Sequence, residues 1–106
     1  MIHITGTRCQ PELEEKFNTW YNQTHIPMLL KFKGLRGVTR HRILKPSEGY
    51  PEYLAIYEFD SRQAFEEYET SPELAIALEE MRETWKDGGW ELMWRVQYEV
   101  MKTWRK

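Results

Sequence analysis

The chain has 106 residues, with 15 basic and 17 acidic side chains and a formal charge of -2. That length sets one domain, and the near-balance of mixed charges excludes the basic footprint of a nucleic-acid binder and a polybasic membrane anchor. Without a charged-then-apolar leader or an apolar run of about 18 residues, export and membrane insertion are not expected, and the chain reads as cytoplasmic. One cysteine, Cys9, can form no internal disulfide and leaves no Cys-x-x-Cys pair for zinc. The five tryptophans are more than a small core hides easily, which points to a dimer or a lined cavity.

Residues 1–9 alternate, with Ile2 and Ile4 on one face and His3 and Thr5 on the other, which predicts a half-buried strand. Cys9 ends it as a small packed residue. Pro11 suits a first helical turn, and Glu12, Glu14 and Glu15 favour the positive end of the helix dipole. Leu13, Phe17, Trp20, Tyr21 and Thr24 form one apolar stripe, which Pro27 interrupts, so a kink or restart is expected between His25 and Met28. Gly34 is the expected helix cap.

The run from Val38 to Leu44 predicts a strand carrying Arg40, His41 and Arg42, followed by a loop from Lys45 to Glu52. Tyr53 to Phe59, whose only charge is Glu58, predicts a central strand. Asp60 with Gln63 and Thr70 with Glu73 are two capping signals, so the following helix should break near Ser71. Leu74, Leu78, Met81, Arg82 and Trp85 give the second piece an apolar side, and Gly88-Gly89 stops it. Leu92 to Val100 alternates, placing Leu92, Trp94, Val96 and Tyr98 on one face. The pattern allows an extension to Trp104.

The order is β-α-β-β-α-β, an α+β, ferredoxin-like arrangement with two helices on one face of a four-stranded antiparallel sheet. In that order the chain resembles the dimeric α+β barrel superfamily and, within it, the EthD-like proteins. The residues that carry the resemblance are Trp20 to Leu29, with an aromatic residue four positions before His-x-Pro, then Gly34 to Val38 and the step Phe59-Asp60-Ser61. The resemblance implies a homodimer packed sheet against sheet, with a pocket between each sheet and its helices. Its members include cofactor-free monooxygenases of aromatic polyketides, lactone isomerases, polyketide cyclases, haem-using branches and proteins with no assigned reaction. No haem-ligand motif matches, and no cofactor is expected. His25, Tyr21 and Pro27 fall on the recurring motif.

His25 is therefore the candidate acid or base, since an imidazole titrates near neutrality, with a helix cap as its structural alternative. Tyr21, one turn away, would share its ligand. Trp20, Asn22, Glu58 and Arg95 are the candidate ligand-binding residues. A Glu58–Arg95 pair is expected to line a polar wall or the dimer seam, and Tyr53, Tyr57, Trp94 and Tyr98 to form an aromatic surface under the helices. His3, His41 and Cys9 match no metal-ligand spacing. The sequence thus predicts a homodimer binding a small aromatic or carbonyl-bearing metabolite, enzyme or accessory protein, with no nucleic-acid or membrane partner.

Overall fold

The computed structural model describes all 106 residues. Four strands, β1 (Ile2–Cys9), β2 (Leu35–Arg42), β3 (Tyr53–Phe59) and β4 (Trp90–Tyr98), form one antiparallel sheet in the order β2-β3-β1-β4. The helices α1 (Glu14–Trp20), α2 (Ile26–Leu29), α3 (Arg62–Glu69) and α4 (Pro72–Thr84) belong to the two crossover connections. No helix is long and apolar enough to cross a membrane.

The first crossover is one helical rod in pieces. A 3-10 turn at Pro11–Leu13 leads into α1, and a π-helical turn at Tyr21–His25 joins α1 to α2. Pro27 explains the wide turn. Inside an ordinary helix its ring would collide with the carbonyl four residues back, and it has no N–H to donate. The π turn instead carries the Ile26 N–H to the Tyr21 carbonyl and the chain continues in helical geometry. Phe17, Tyr21, His25 and Leu29 are all buried along this rod, so the stripe runs through His25 rather than ending at Thr24, which is only half-buried.

The second crossover breaks as predicted, with α3 and α4 meeting at Ser71. The caps differ from those expected. Ser61 Oγ, not Asp60, accepts from Ala64 N at 3.0 Å, and Ser71 Oγ, not Thr70, accepts from Leu74 N at 3.1 Å. Each serine sits one residue later, where its hydroxyl reaches the exposed N–H of the first turn. Gly88 and Gly89 end the unit with φ of 75° and 123°. Gly34 has no positive φ and does not act as a cap. A Cβ there would lie 2.9 Å from the Ala64 Cβ and 2.8 Å from the Phe32 ring, so close packing against α3 is what requires glycine.

β3 spans the residues expected and pairs with both β1 and β2 in the middle of the sheet. β2 begins earlier than expected, at Leu35, and ends at Arg42, leaving Leu44 fully exposed. The chain beyond Tyr98 has no regular structure, so β4 does not reach Val100 or Trp104.

In β1 the two faces reverse the expected polarity, whereas β3 keeps it. Tyr53, Ala55, Tyr57 and Phe59 of β3 point into the helical layer, together with the polar set His3, Thr5 and Thr7 of β1. Ile2 and Ile4 turn to the other face with Leu54, Ile56 and Val96, which no element covers. In β4 a bulge opposite Gly6 and Thr7 places Trp94 across from Gly6 but Leu92 across from Thr7. Met93 is the extra residue. A one-residue slip exchanges faces, so Leu92 lies on the helix side while Trp94 and Tyr98 lie on the open side.

The core gathers around Phe17, which is fully buried and meets Tyr21, Tyr53 and Trp90 at ring distances between 5.4 and 5.8 Å. Trp20 and Trp85 are buried beside it. Trp94 and Trp104 stand on the surface, 39% and 74% exposed.

Candidate functional site

A cavity of about 160 Å³ lies between the sheet and the helical layer. Its floor is β1, with His3, Thr5 and Thr7, flanked by Tyr57 of β3 and Arg95 of β4. Tyr21, His25 and Leu29 close one side, and Leu74, Leu78 and Met81 of α4 close the other. The cavity is about half open, and about 150 Å³ is enough for a benzene-sized molecule, so a single ring fits inside it.

His25 is 7% exposed and its Nδ1 is buried without a hydrogen-bond partner. Its ring stacks on Trp20 with centroids 4.7 Å apart and meets Tyr21 edge-on at 5.2 Å. Burial pushes the imidazole down to about 4, with Glu80 opposing in part. At neutral pH His25 is therefore uncharged, a base or acceptor rather than the acid that an unperturbed value would also allow. Trp20 fixes that ring from behind. Its Nε1 donates to Glu80 Oε1 at 2.8 Å, and Glu80 also accepts from the Thr84 hydroxyl, so the end of α1, just before the π turn, is tied to α4 through one carboxylate.

Tyr21 reaches across to the sheet. Its hydroxyl lies 2.8 Å from the Tyr57 hydroxyl and 3.4 Å from Thr5 Oγ1. Burial holds the Tyr57 phenol well above its usual range, so it stays protonated. Either hydroxyl can donate in this bond, and in the arrangement where Tyr57 donates Tyr21 keeps its own proton for another acceptor. On the other side of the Tyr21 ring the Arg40 guanidinium stacks at 4.3 Å and donates from Nη1 to Asn22 Oδ1 at 2.9 Å. The Nε and Nη2 of Arg40 have no hydrogen-bond partner, and the π faces of Tyr21 and Tyr53 supply the compensating negative potential.

His25, Tyr21 and Arg95 thus line one cavity. Trp20 stands behind His25, and Asn22 is exposed on the outer side of the helix, held by Arg40. Glu58 is exposed on the open face, paired in register with Ile2, whereas Arg95 opposes Thr5 on the helix side. The expected Glu58–Arg95 pair is corrected: strand alternation puts the two on opposite faces, and Arg95 instead sits 3.7 Å from Glu69 of α3. The aromatic surface divides in the same way, Tyr53 and Tyr57 under the helices and Trp94 and Tyr98 on the other side.

His3, Thr5, Tyr57 and Tyr68 belong to the cavity wall without having been singled out as site residues. The signal was present in β1, where a polar triplet at alternate positions faces the helices. No group of three or more His, Cys, Asp or Glu side chains is placed to hold a metal ion. Cys9 packs at the end of β1 near Glu52, and burial raises its thiol, which disfavours the reactive thiolate.

Solved structures share this architecture at low sequence identity. HapK from Hahella chejuensis superposes with a TM-score of 0.72 and 12% identity, over 99% of this chain and 97% of that one. An EthD family protein from Bacillus halodurans C-125 gives 0.65 and 20% identity, over 93% and 99%. A dimeric ferredoxin-like protein of unknown function from Thermobifida fusca YX gives 0.55 and 19%, over 90% and 83%. The chain therefore has the ferredoxin-like α+β fold, the fold of the single subunit that its resemblance to EthD-like proteins implied. No curated protein matches it in sequence. The family profile described as "Domain of unknown function (DUF4286)" matches residues 1–91, and the chain belongs to that family.

Proposed function

We propose that this protein binds a small, single-ring aromatic or carbonyl-bearing metabolite in the cavity beside the π turn, and that His25 and Tyr21 place or move a proton on it without a cofactor. The observation that carries this reading is the uncharged His25, stacked on Trp20 next to the Tyr21 hydroxyl at the edge of a benzene-sized space. In the simplest reaction His25 takes a proton from the α-carbon of a β,γ-unsaturated carbonyl, Tyr21 is one donor to the oxygen of the resulting dienolate, and the proton returns at the γ-carbon. The atoms balance without a co-reactant, and the product is an isomer. Arg95, at the β4 side of the cavity, supplies positive charge for the polar end of the ligand.

A second reading has one specific observation in its favour. An imidazole held near 4 is a weak base at neutral pH, and a binding or accessory protein needs no base at all. His25→Ala and Tyr21→Phe separate the two readings. Catalysis predicts that turnover of an enolisable ring substrate falls at least about a hundredfold in His25→Ala while the fold persists. Unchanged turnover or ligand affinity in that variant would sink the role given to His25.

The proposed assembly is a homodimer formed through the uncovered sheet face. Ile2, Ile4, Leu54, Ile56 and Val96 supply an apolar surface there, bordered by the exposed Trp94 and Tyr98. The Thermobifida fusca relative, described as dimeric, has the same fold.

A further inference from the structure

The cavity contains a second imidazole, on its sheet wall. His3 is 4% exposed and stands directly across from Gln97 in the β1–β4 register. Gln97 Nε2 lies 3.0 Å from His3 Nδ1. An amide nitrogen only donates, so Nδ1 accepts and the single proton of the neutral ring resides on Nε2. The surroundings keep the ring neutral: Tyr57 and Phe65 enclose it at ring distances of 5.4 and 5.1 Å, and the charge acting on it is that of Arg95.

Arg95 is two residues before Gln97, faces the same side of the sheet and lines the same cavity. Its Nη2 is only loosely engaged by Glu69 Oε2 at 3.7 Å, and both side chains are nearly half exposed. A pair of that kind is weak and can be exchanged for a better anion. His3 thus offers an N–H that cannot accept, beside a guanidinium that cannot accept either. Two such donors favour an oxygen that brings negative charge and lone pairs over one that brings a proton.

We propose that His3 Nε2–H and the Arg95 guanidinium form an oxyanion subsite, with Gln97 as the positioning residue that fixes the His3 tautomer. The ligand class is a single small ring bearing a phenolate or enolate oxygen. This rests on the reading of the cavity as a ligand site and narrows it. Glu69 occupies Arg95 in the absence of a ligand and competes with the incoming oxyanion.

The test uses the full-length protein with two probes of similar shape, 4-nitrophenol and nitrobenzene, together with histidine ¹⁵N spectra. In the native protein His3 carries its proton on Nε2. In Gln97→Glu the new carboxylate accepts from Nδ1–H and reverses the tautomer. 4-Nitrophenol binds as the coloured phenolate, its ionisation midpoint on the protein lowered by about one unit, a tenfold preference. Arg95→Met and Gln97→Glu lose that preference yet still bind nitrobenzene, while Glu69→Gln binds the phenolate several-fold more tightly. A native His3 protonated on Nδ1, or a phenolate preference unchanged in both Arg95→Met and Gln97→Glu, overturns the proposal. Binding of nitrobenzene with no phenolate preference in the native protein overturns the subsite alone, whereas binding of neither probe overturns the cavity reading and the subsite with it.

Discussion

The hydroxyls of Tyr21 and Tyr57 lie 2.8 Å apart, joining the π turn to the central strand inside the core. Tyr57 is 2% exposed and Tyr21 4%. Thr5 is a hydrogen-bonding neighbour of both hydroxyls, so either truncation leaves the other phenol a partner. Tyr57→Phe and Tyr21→Phe should therefore each cost about 1 kcal/mol, the usual net value of one hydrogen bond. Urea unfolding of both variants checks this, and a loss above about 3 kcal/mol in either would show that Thr5 does not take over the lost bond.

The two buried imidazoles make stability depend on pH. His3 and His25 are both lowered from 6.5 to about 4, chiefly by burial. Between those values the unfolded chain binds more protons than the folded one, so unfolding free energy rises with pH. The contribution is complete above 6.5 and is lost as the pH falls towards 4. It reaches at most roughly 3 kcal/mol for each imidazole. Chemical denaturation at pH 7 and pH 5 should show the loss, with His25→Leu and His3→Leu flattening the profile, and NMR titration should find both histidines still neutral at pH 5.5.

Gly34→Ala should destabilise the joint between β2 and α3. The added methyl meets the Ala64 Cβ and the Phe32 ring at under 3 Å, an overpacking worth about 1 to 3 kcal/mol. Ala64→Gly costs about 1 kcal/mol alone through helix propensity. In the double variant the losses should be less than additive, because the small residue returns to the other side of the contact. Strict additivity would place the cause elsewhere.

The dimer prediction is independent of the site. Wild-type protein should sediment as a dimer at micromolar concentration, and Ile56→Lys, which puts a charge in the middle of the uncovered sheet face, should sediment as a folded monomer. A monomeric wild type would remove the assembly argument without affecting the cavity.

The sequence carried the element order because that information is local. β3 is a near-continuous aromatic and apolar run, Gly88-Gly89 stops α4, and Ser71 with Pro72 divides the second crossover. The candidate site was legible where one helix held it: Tyr21 and His25 are four residues apart on the same rod. Arg95 was found as a residue, but its partner was not. Pairing it with Glu58 required knowing which face each strand presents, and that depends on the Met93 bulge and on the inward turn of His3, Thr5 and Thr7. An alternating strand with isoleucines on one side and polar residues on the other is expected to bury the isoleucines. Here His3, Thr5 and Thr7 wall a mostly apolar cavity under the helices and the isoleucines turn to the opposite face, so the hydrophobic pattern of β1 marked the wrong side. His25 carried a similar ambiguity. Its position was readable, but its neutrality at physiological pH comes from the Trp20 stack and the depth of burial, which no spacing reveals.

The central claim is that the space beside His25 holds a small ring. It is tested most directly by titrating ¹⁵N-histidine-labelled protein with phenol and following the His25 ring, alongside a Leu78→Trp variant that fills the cavity from α4. A saturable shift of His25 that disappears in Leu78→Trp is the predicted result. No shift of His25 at millimolar phenol, or an equal shift in the filled variant, would contradict the claim.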